Sequence, residues 1–122
     1  MSTIQDTFNS NPDITAYGFS IFGDRRSLLP KTRIEFDVSV QGSRAVLNDE
    51  INSDKTIPLI ALIKTLKLTK NVSNSNCSYG LKHWAERHLG YISNGYFIIC
   101  AIHCGLKYKR DGPNCSFNLS KK

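Results

Sequence analysis

Cys77-Ser-Tyr-Gly-Leu-Lys-His-Trp-Ala-Glu-Arg-His-Leu-Gly90, Tyr91-Ile-Ser-Asn-Gly-Tyr-Phe-Ile-Ile-Cys-Ala-Ile-His-Cys-Gly105 and Leu106-Lys-Tyr-Lys-Arg-Asp-Gly-Pro-Asn-Cys-Ser-Phe-Asn-Leu-Ser120 follow one another without a break. The first segment has helical spacing. Leu81, Trp84, Ala85 and Leu89 make one stripe, and Lys82, His83, Glu86 and Arg87 make the opposite face, with Lys82 and Glu86 one turn apart. Ser78 is the expected N-cap, and Gly90 supplies the left-handed residue that ends a helix. Ser93 or Asn94 caps the second segment and Gly105 closes it. The third alternates around Asp111-Gly-Pro-Asn and reads as a β-hairpin.

Two helices followed by a hairpin are the order of a winged helix-turn-helix, in which the second helix of the pair lies in the DNA major groove. Here that helix has Ile98, Ile99, Ala101 and Ile102 on nearly all its sides and contains no Lys or Arg. A helix apolar all round belongs in a core, so base-edge reading from it is not expected. The nucleic-acid contacts the sequence offers instead are Lys82, Arg87, Lys107, Lys109 and Arg110 as phosphate ligands, with Tyr108 and Phe117 as stacking partners on the hairpin.

Upstream, residues 1–16 read as a loose arm, with Asn9-Ser-Asn-Pro-Asp as turn chemistry. Tyr17 to Gly23 is a short aromatic strand or edge loop, and Asp24-Arg-Arg-Ser27 is expected to be exposed. Arg33-Ile-Glu-Phe-Asp-Val-Ser-Val40 alternates strictly, placing Ile34, Phe36, Val38 and Val40 on one side, and predicts a half-buried strand closed by Gln41-Gly42-Ser43. Arg44 to Ile51 is compatible with a short helix. Thr56-Ile-Pro58 starts another, carried on by Leu59, Leu62, Ile63 and Leu66 with Lys64, Lys67 and Lys70 on or beside its wet side. Asn71 to Asn76 is a polar linker, and Lys121-Lys122 is expected to fray.

The chain has 122 residues, enough for one domain with a modest core. Its longest apolar run, Tyr96 to Ile102, is far too short to span a membrane. The N-terminus shows neither a positive region nor an apolar stretch, so no secretory signal is expected. A cytoplasmic location is the expectation, with the four cysteines reduced there. The net charge of +6 is unevenly spread. Residues 1–56 carry six Lys/Arg against eight Asp/Glu, whereas residues 57–122 carry ten against two, Glu86 and Asp111. A half-molecule with a net charge of +8 attracts phosphates or an acidic protein face.

Two constellations invite catalytic or metal readings. His83 and Glu86 share a helical face, but no third ligand accompanies them and Lys82 repels a cation, which leaves exposed polar residues as the simpler account. Cys100, His103, Cys104 and Cys115 suggest zinc, yet their spacing matches no familiar knuckle or finger. The surrounding isoleucines point to packed thiols. No phosphate loop, dinucleotide fingerprint or nucleophile elbow is present, and no cofactor is expected.

The pattern Ser78-Tyr-Gly-Leu-Lys-His-x-x-Glu86, then Tyr91-Ile-Ser-Asn-Gly-x-Phe-Ile98, then Gly112-Pro-Asn-Cys-x-Phe-Asn118, resembles small accessory proteins of phages, plasmids and integrated mobile elements. The resemblance covers residues 78–120 and carries no catalytic residues. It implies a genomic setting in which such proteins bind host or defence machinery, anti-CRISPR proteins among them. Within it, Gly95 permits close approach of a neighbour, and Tyr79 and Tyr91 can pack while keeping their polar tips wet.

The sequence thus predicts a small single α+β domain over residues 1–122. Residues 1–16 form the arm, 17–70 a strand and helix region, and 77–120 a helix–helix–hairpin unit of winged-helix-like order. Its expected role is non-enzymatic binding of nucleic acid or a host nucleoprotein complex through Lys82, His83, Arg87, Lys107, Tyr108, Lys109 and Arg110. A host-defence inhibitor that blocks a protein surface is the alternative, and a metal-dependent or Cys/His enzyme the third class.

Overall fold

A computed structural model describes residues 3–16, 18–19, 30–72, 77–111 and 114–120, of which 30–40, 111 and 120 are described by their backbone. The elements in order are α1 (Ile4–Ser10), β1 (Ile14–Thr15), β2 (Gly18–Phe19), α2 (Pro30–Ile51), α3 (Thr56–Lys64), β3 (Lys67–Leu68), α4 (Ser78–Leu89), α5 (Asn94–His103), β4 (Tyr108–Asp111), β5 (Asn114–Phe117) and β6 (Leu119–Ser120). The strands form three antiparallel pairs, β1–β2, β3–β6 and β4–β5. The result is a small α+β domain around one apolar cluster.

Helix α5 is the centre of that cluster. Every residue from Asn94 to Ala101 is buried. Helices α1, α2, α3 and α4 and the β1–β2 pair all pack against it. Phe97 meets Phe117 of β5 edge-on, with ring centroids 6.0 Å apart. The helix, helix, hairpin order of residues 77–120 is present, but the helix in the groove-reading position is the one the rest of the protein covers. The Ser93 hydroxyl accepts the Tyr96 N–H at 3.2 Å and starts α5, and Gly105, at φ 84°, ends it.

The start of α5 is reached by the β1–β2 turn. The Gly95 N–H donates to the Ala16 carbonyl at 3.1 Å, and a Cβ on Gly95 would fall onto the Thr15 carbonyl. Close approach, not turn geometry, requires this glycine. On the opposite side the buried Tyr96 hydroxyl lies 2.7 Å from Thr56 Oγ1. Thr56 also donates to the Ile51 carbonyl at 2.9 Å, joining the end of α2 to the start of α3.

Three expectations are corrected. The Arg33–Val40 segment is helical, lying inside the 22-residue α2 with Gln41-Gly42-Ser43. Ile34 and Val38 recur one turn apart, as do Phe36 and Val40, so the alternating pattern is also compatible with a helix. Pro30 occupies the favoured first helical position, Leu47 and Ile51 anchor the far end in the core, and none of the described ladders includes this segment. The expected loose arm contains α1, held by a capping box: Thr3 Oγ1 accepts the Asp6 N–H at 3.1 Å and Asp6 Oδ2 accepts the Thr3 N–H at 2.9 Å. Arg44 then fixes the arm, donating to the carbonyls of Phe8, Asn11 and Ile14 at 3.2, 2.9 and 2.7 Å. Its guanidinium lies over the Phe8 ring. Finally, Cys77 and not Ser78 is the N-cap of α4. Ser78 is its first helical residue, and its hydroxyl accepts the Cys115 N–H at 3.2 Å, tying α4 to β5.

Within the aromatic stretch 17–23, residues 17 and 20–23 lie outside the described residues. So do Asp24–Ser27, residues 73–76 of the linker, the Gly112-Pro113 tip and Lys121-Lys122.

The two glycines give opposite expectations. Gly42 is an exposed residue inside α2 with open space around its Cβ position, so Gly42→Ala should raise stability by up to about 1 kcal/mol. Gly95→Ala should lower it by about 2–3 kcal/mol because the added methyl meets backbone. Urea unfolding midpoints at constant slope measure both. A destabilising Gly42→Ala would contradict the helical course of α2, and a stabilising Gly95→Ala the seating of Thr15 on α5.

Candidate functional site

The sequence places Lys82 on the wet face of α4, and the structure buries it. Only 8% of the residue is exposed. Lys82 follows Leu81, which faces the core, and the chain from Tyr91 to Ser93 folds back over it. Its ammonium donates to the Ile92 carbonyl at 3.0 Å and to Glu86 Oε2 at 3.3 Å. It also lies 4.8 Å from the centroid of the Tyr91 ring and 5.9 Å from that of Tyr79. An ammonium engaged in this way is not a phosphate ligand, and Lys82 leaves the proposed contact set.

Glu86 completes the arrangement. Its Oε2 also accepts the Ile92 N–H at 3.3 Å, and its Oε1 lies 2.8 Å from His83 Nδ1. Burial alone would raise the Glu86 pKa. The hydrogen bonds from Lys82 and Ile92, with the charges of Lys82 and His83, outweigh it and hold the carboxyl below its ordinary value. The His83 side chain is half exposed, and its ring stands edge-on to Tyr79 at 4.5 Å.

The remaining expected residues divide. Along β4, successive side chains take opposite faces. Tyr108 stacks on Phe19, with centroids 5.8 Å apart, and Arg110 lies over the same ring while pairing with Asp13 at 2.7 Å. These two fasten the hairpin to β2. Lys107 and Lys109 are exposed, as is Arg87 on α4. Phe117, expected as a stacking partner, is fully buried against Phe97 and unavailable.

Sequence reasoning left Lys64, Lys67 and Lys70 out of the binding set, and the fold brings their segment beside Lys107. The agent is Asn118, which is buried and uses both its backbone and its side-chain amide. Its Oδ1 accepts the Lys107 N–H at 2.8 Å and its N–H donates to the Lys107 carbonyl at 3.2 Å. Its Nδ2 donates to the Thr69 carbonyl at 3.1 Å, and its carbonyl accepts the Thr69 N–H at 2.9 Å. The β3–β6 and β4–β5 ladders are thereby stitched together. Lys64, Lys67, Lys70, Lys107 and Lys109 are all exposed, and none has a carboxylate partner among the described residues. Two-residue strands joined across fifty positions leave no pattern a sequence reading can find.

The thiols are set for packing. Burial drives the Cys100 pKa far up, with Cys104 and Glu50 adding to it. It pushes Cys115 to about 12, against the opposing Ser78 hydrogen bond. Cys104 is raised by burial and partly offset by Lys64. His103 Nδ1 lies 3.0 Å from Thr7 Oγ1. The upward shifts at these three thiols disfavour the thiolate, the form a nucleophile requires. Among the described residues no group of three or more His, Cys, Asp or Glu is arranged to hold a metal ion.

An open cleft of about 980 Å³ lies between the second half of α2 and residues 91–96, with Val46, Asp49, Glu50 and Tyr91 in its lining. The Glu50 carboxylate there is spoken for: it accepts the Ser93 N–H at 3.0 Å and the Ser93 hydroxyl at 2.5 Å, and so caps α5. No described helix is long and apolar enough to cross a membrane. Compared with protein-family models, curated proteins and solved structures, the chain matches none.

Removing one side of the Lys82–Glu86 pair is expected to be unequal in cost. Lys82→Met keeps the packing of the stem and should cost under about 1 kcal/mol. Glu86→Gln leaves a buried ammonium without its counter-charge, held by the Ile92 carbonyl and the two rings, and should cost about 2 kcal/mol. Because the folded Glu86 pKa is depressed, its contribution is present above the unfolded value and is lost as pH falls through the folded one, below about 4.5. Urea unfolding across acid pH should show this loss in the parent chain and its absence in Glu86→Gln.

Proposed function

We propose that the protein is a non-enzymatic nucleic-acid-binding protein of the cytoplasm, acting on nucleic acid alone or within a nucleoprotein complex. The observation that carries the proposal is the set of five outward lysines, Lys64, Lys67, Lys70, Lys107 and Lys109. All five are exposed and without carboxylate partners among the described residues, and Asn118 ties the Lys107 backbone to that of Thr69, between Lys67 and Lys70. Nearby internal pairing supports the reading. Glu86 is paired with Lys82, with His83 Nδ1 2.8 Å from its other oxygen, and Arg110 is held by Asp13, which leaves the five lysines without a carboxylate partner among the described residues. Exposed lysines act as point charges that position a phosphate backbone and carry no base preference. The resemblance of residues 78–120 to mobile-element accessory proteins gives the proposal its setting, in which the nucleic acid belongs to a host or element complex.

Binding of this kind releases condensed counterions. Contact with about four or five phosphates should give a plot of log affinity against log salt with a slope of about −4 on duplex DNA. Lys107→Glu with Lys109→Glu should lower affinity on the order of tenfold or more and flatten the slope by about two. Fluorescence anisotropy at several salt concentrations measures both. Absence of saturable binding to DNA or RNA at low salt would end the proposal.

A further inference from the structure

Tyr79 and Tyr91 are 53% and 71% exposed, among the most exposed large apolar side chains described. They are not loose. One buried ammonium, that of Lys82, lies over both rings. It is itself pinned by the Ile92 carbonyl and Glu86. His83 supports the Tyr79 ring from its edge. Burying a lysine nitrogen is costly, and the arrangement at this spot holds two aromatic rings in place at the surface while leaving much of each in solvent.

The charge around the rings is equally specific. Arg87 lies exposed on the next turn of α4 beyond His83 and has no ion-pair partner among the described residues. Glu86, the only carboxylate of α4, has both oxygens occupied by Lys82, His83 and the Ile92 N–H. The face therefore presents fixed aromatic rings and a free guanidinium with its one negative charge neutralised. That composition fits bases stacking on tyrosines with their phosphates on arginine. In a duplex the base faces are covered by their neighbours, and only an unpaired strand can offer them.

We propose that Tyr79 and Tyr91, held by Lys82 and flanked by His83 and Arg87, are a stacking platform for unpaired nucleobases, so that the nucleic acid this protein takes is single-stranded. The inference rests on the nucleic-acid reading above and adds the strand state to it. Lys82 is a positioning residue in this scheme, since it touches the rings and not the ligand.

The test uses the full chain with three probes of equal length: an oligo(dT) strand, its duplex with oligo(dA), and a strand of abasic sites that keeps the phosphates and lacks the bases. The strand should bind roughly tenfold more tightly than either of the others. Tyr79→Leu and Tyr91→Leu should each lose roughly tenfold on the oligo(dT) strand. Neither should change duplex affinity or the salt slope, and unchanged duplex binding also shows that the variants are folded. Equal affinity for strand, duplex and abasic probe, with both tyrosine variants unaffected, would overturn the platform while leaving the lysine surface standing. It would turn attention to a protein partner for the tyrosines. Absence of binding to all three probes at low salt would overturn the lysine surface and the platform together.

Discussion

Helix α5 has no polar side, and the protein is built around the need to cover it. Burial from Asn94 to Ala101 removes a full turn of orphan N–H groups from water, and each such group left unmet would cost on the order of 1–3 kcal/mol. The surrounding chain meets that demand from two directions. Glu50 at the end of α2 supplies a carboxylate to Ser93, and the β1–β2 turn supplies the Ala16 carbonyl to Gly95. These contacts decide where α2 and the N-terminal segment sit; Arg44 then locks those two pieces to one another, and Thr56 joins the end of α2 to α3.

With the apolar helix inside, the basic half of the chain becomes a shell. Strand β4 shows how a shell element divides its work. Tyr108 and Arg110 grip Phe19 and Asp13, while Lys109, and Lys107 just before the strand, are left to solvent. The same division occurs on α4, where Lys82 and Glu86 satisfy one another and the returning backbone. Arg87 and the two tyrosines remain outward. Counting charges in the sequence treats all of these alike. The structure separates charges that are spent internally from those free to bind.

What could be read in advance was local. The apolar character of α5, the glycines that end α4 and α5, the β4–β5 hairpin and the close approach at Gly95 each follow from a few adjacent residues. The α2 segment misled because β-branched residues at alternate positions score as a strand, whereas helix or strand is settled by which partners exist, and the described ladders include none for it. The turn residues Asn9 to Asp13 suggest a loose arm, whereas the capping box between Thr3 and Asp6 sets the helix that precedes them. The burial of Lys82 was not visible, since it depends on a carbonyl ten positions later. The pairing of β3 with β6 joins two-residue strands some fifty positions apart, and with it comes the placement of Lys107 beside the segment that holds Thr69.

Native-state hydrogen exchange measures how far the rest of the protein depends on α5. If α5 is the element on which the others depend, the amides of Phe97 to Ala101 should exchange only through global unfolding, with a free energy equal to that from urea denaturation. The amides of α1 and β3 should open at lower free energies. Exchange of the α5 amides ahead of those in α4 or the β4–β5 hairpin would contradict the account.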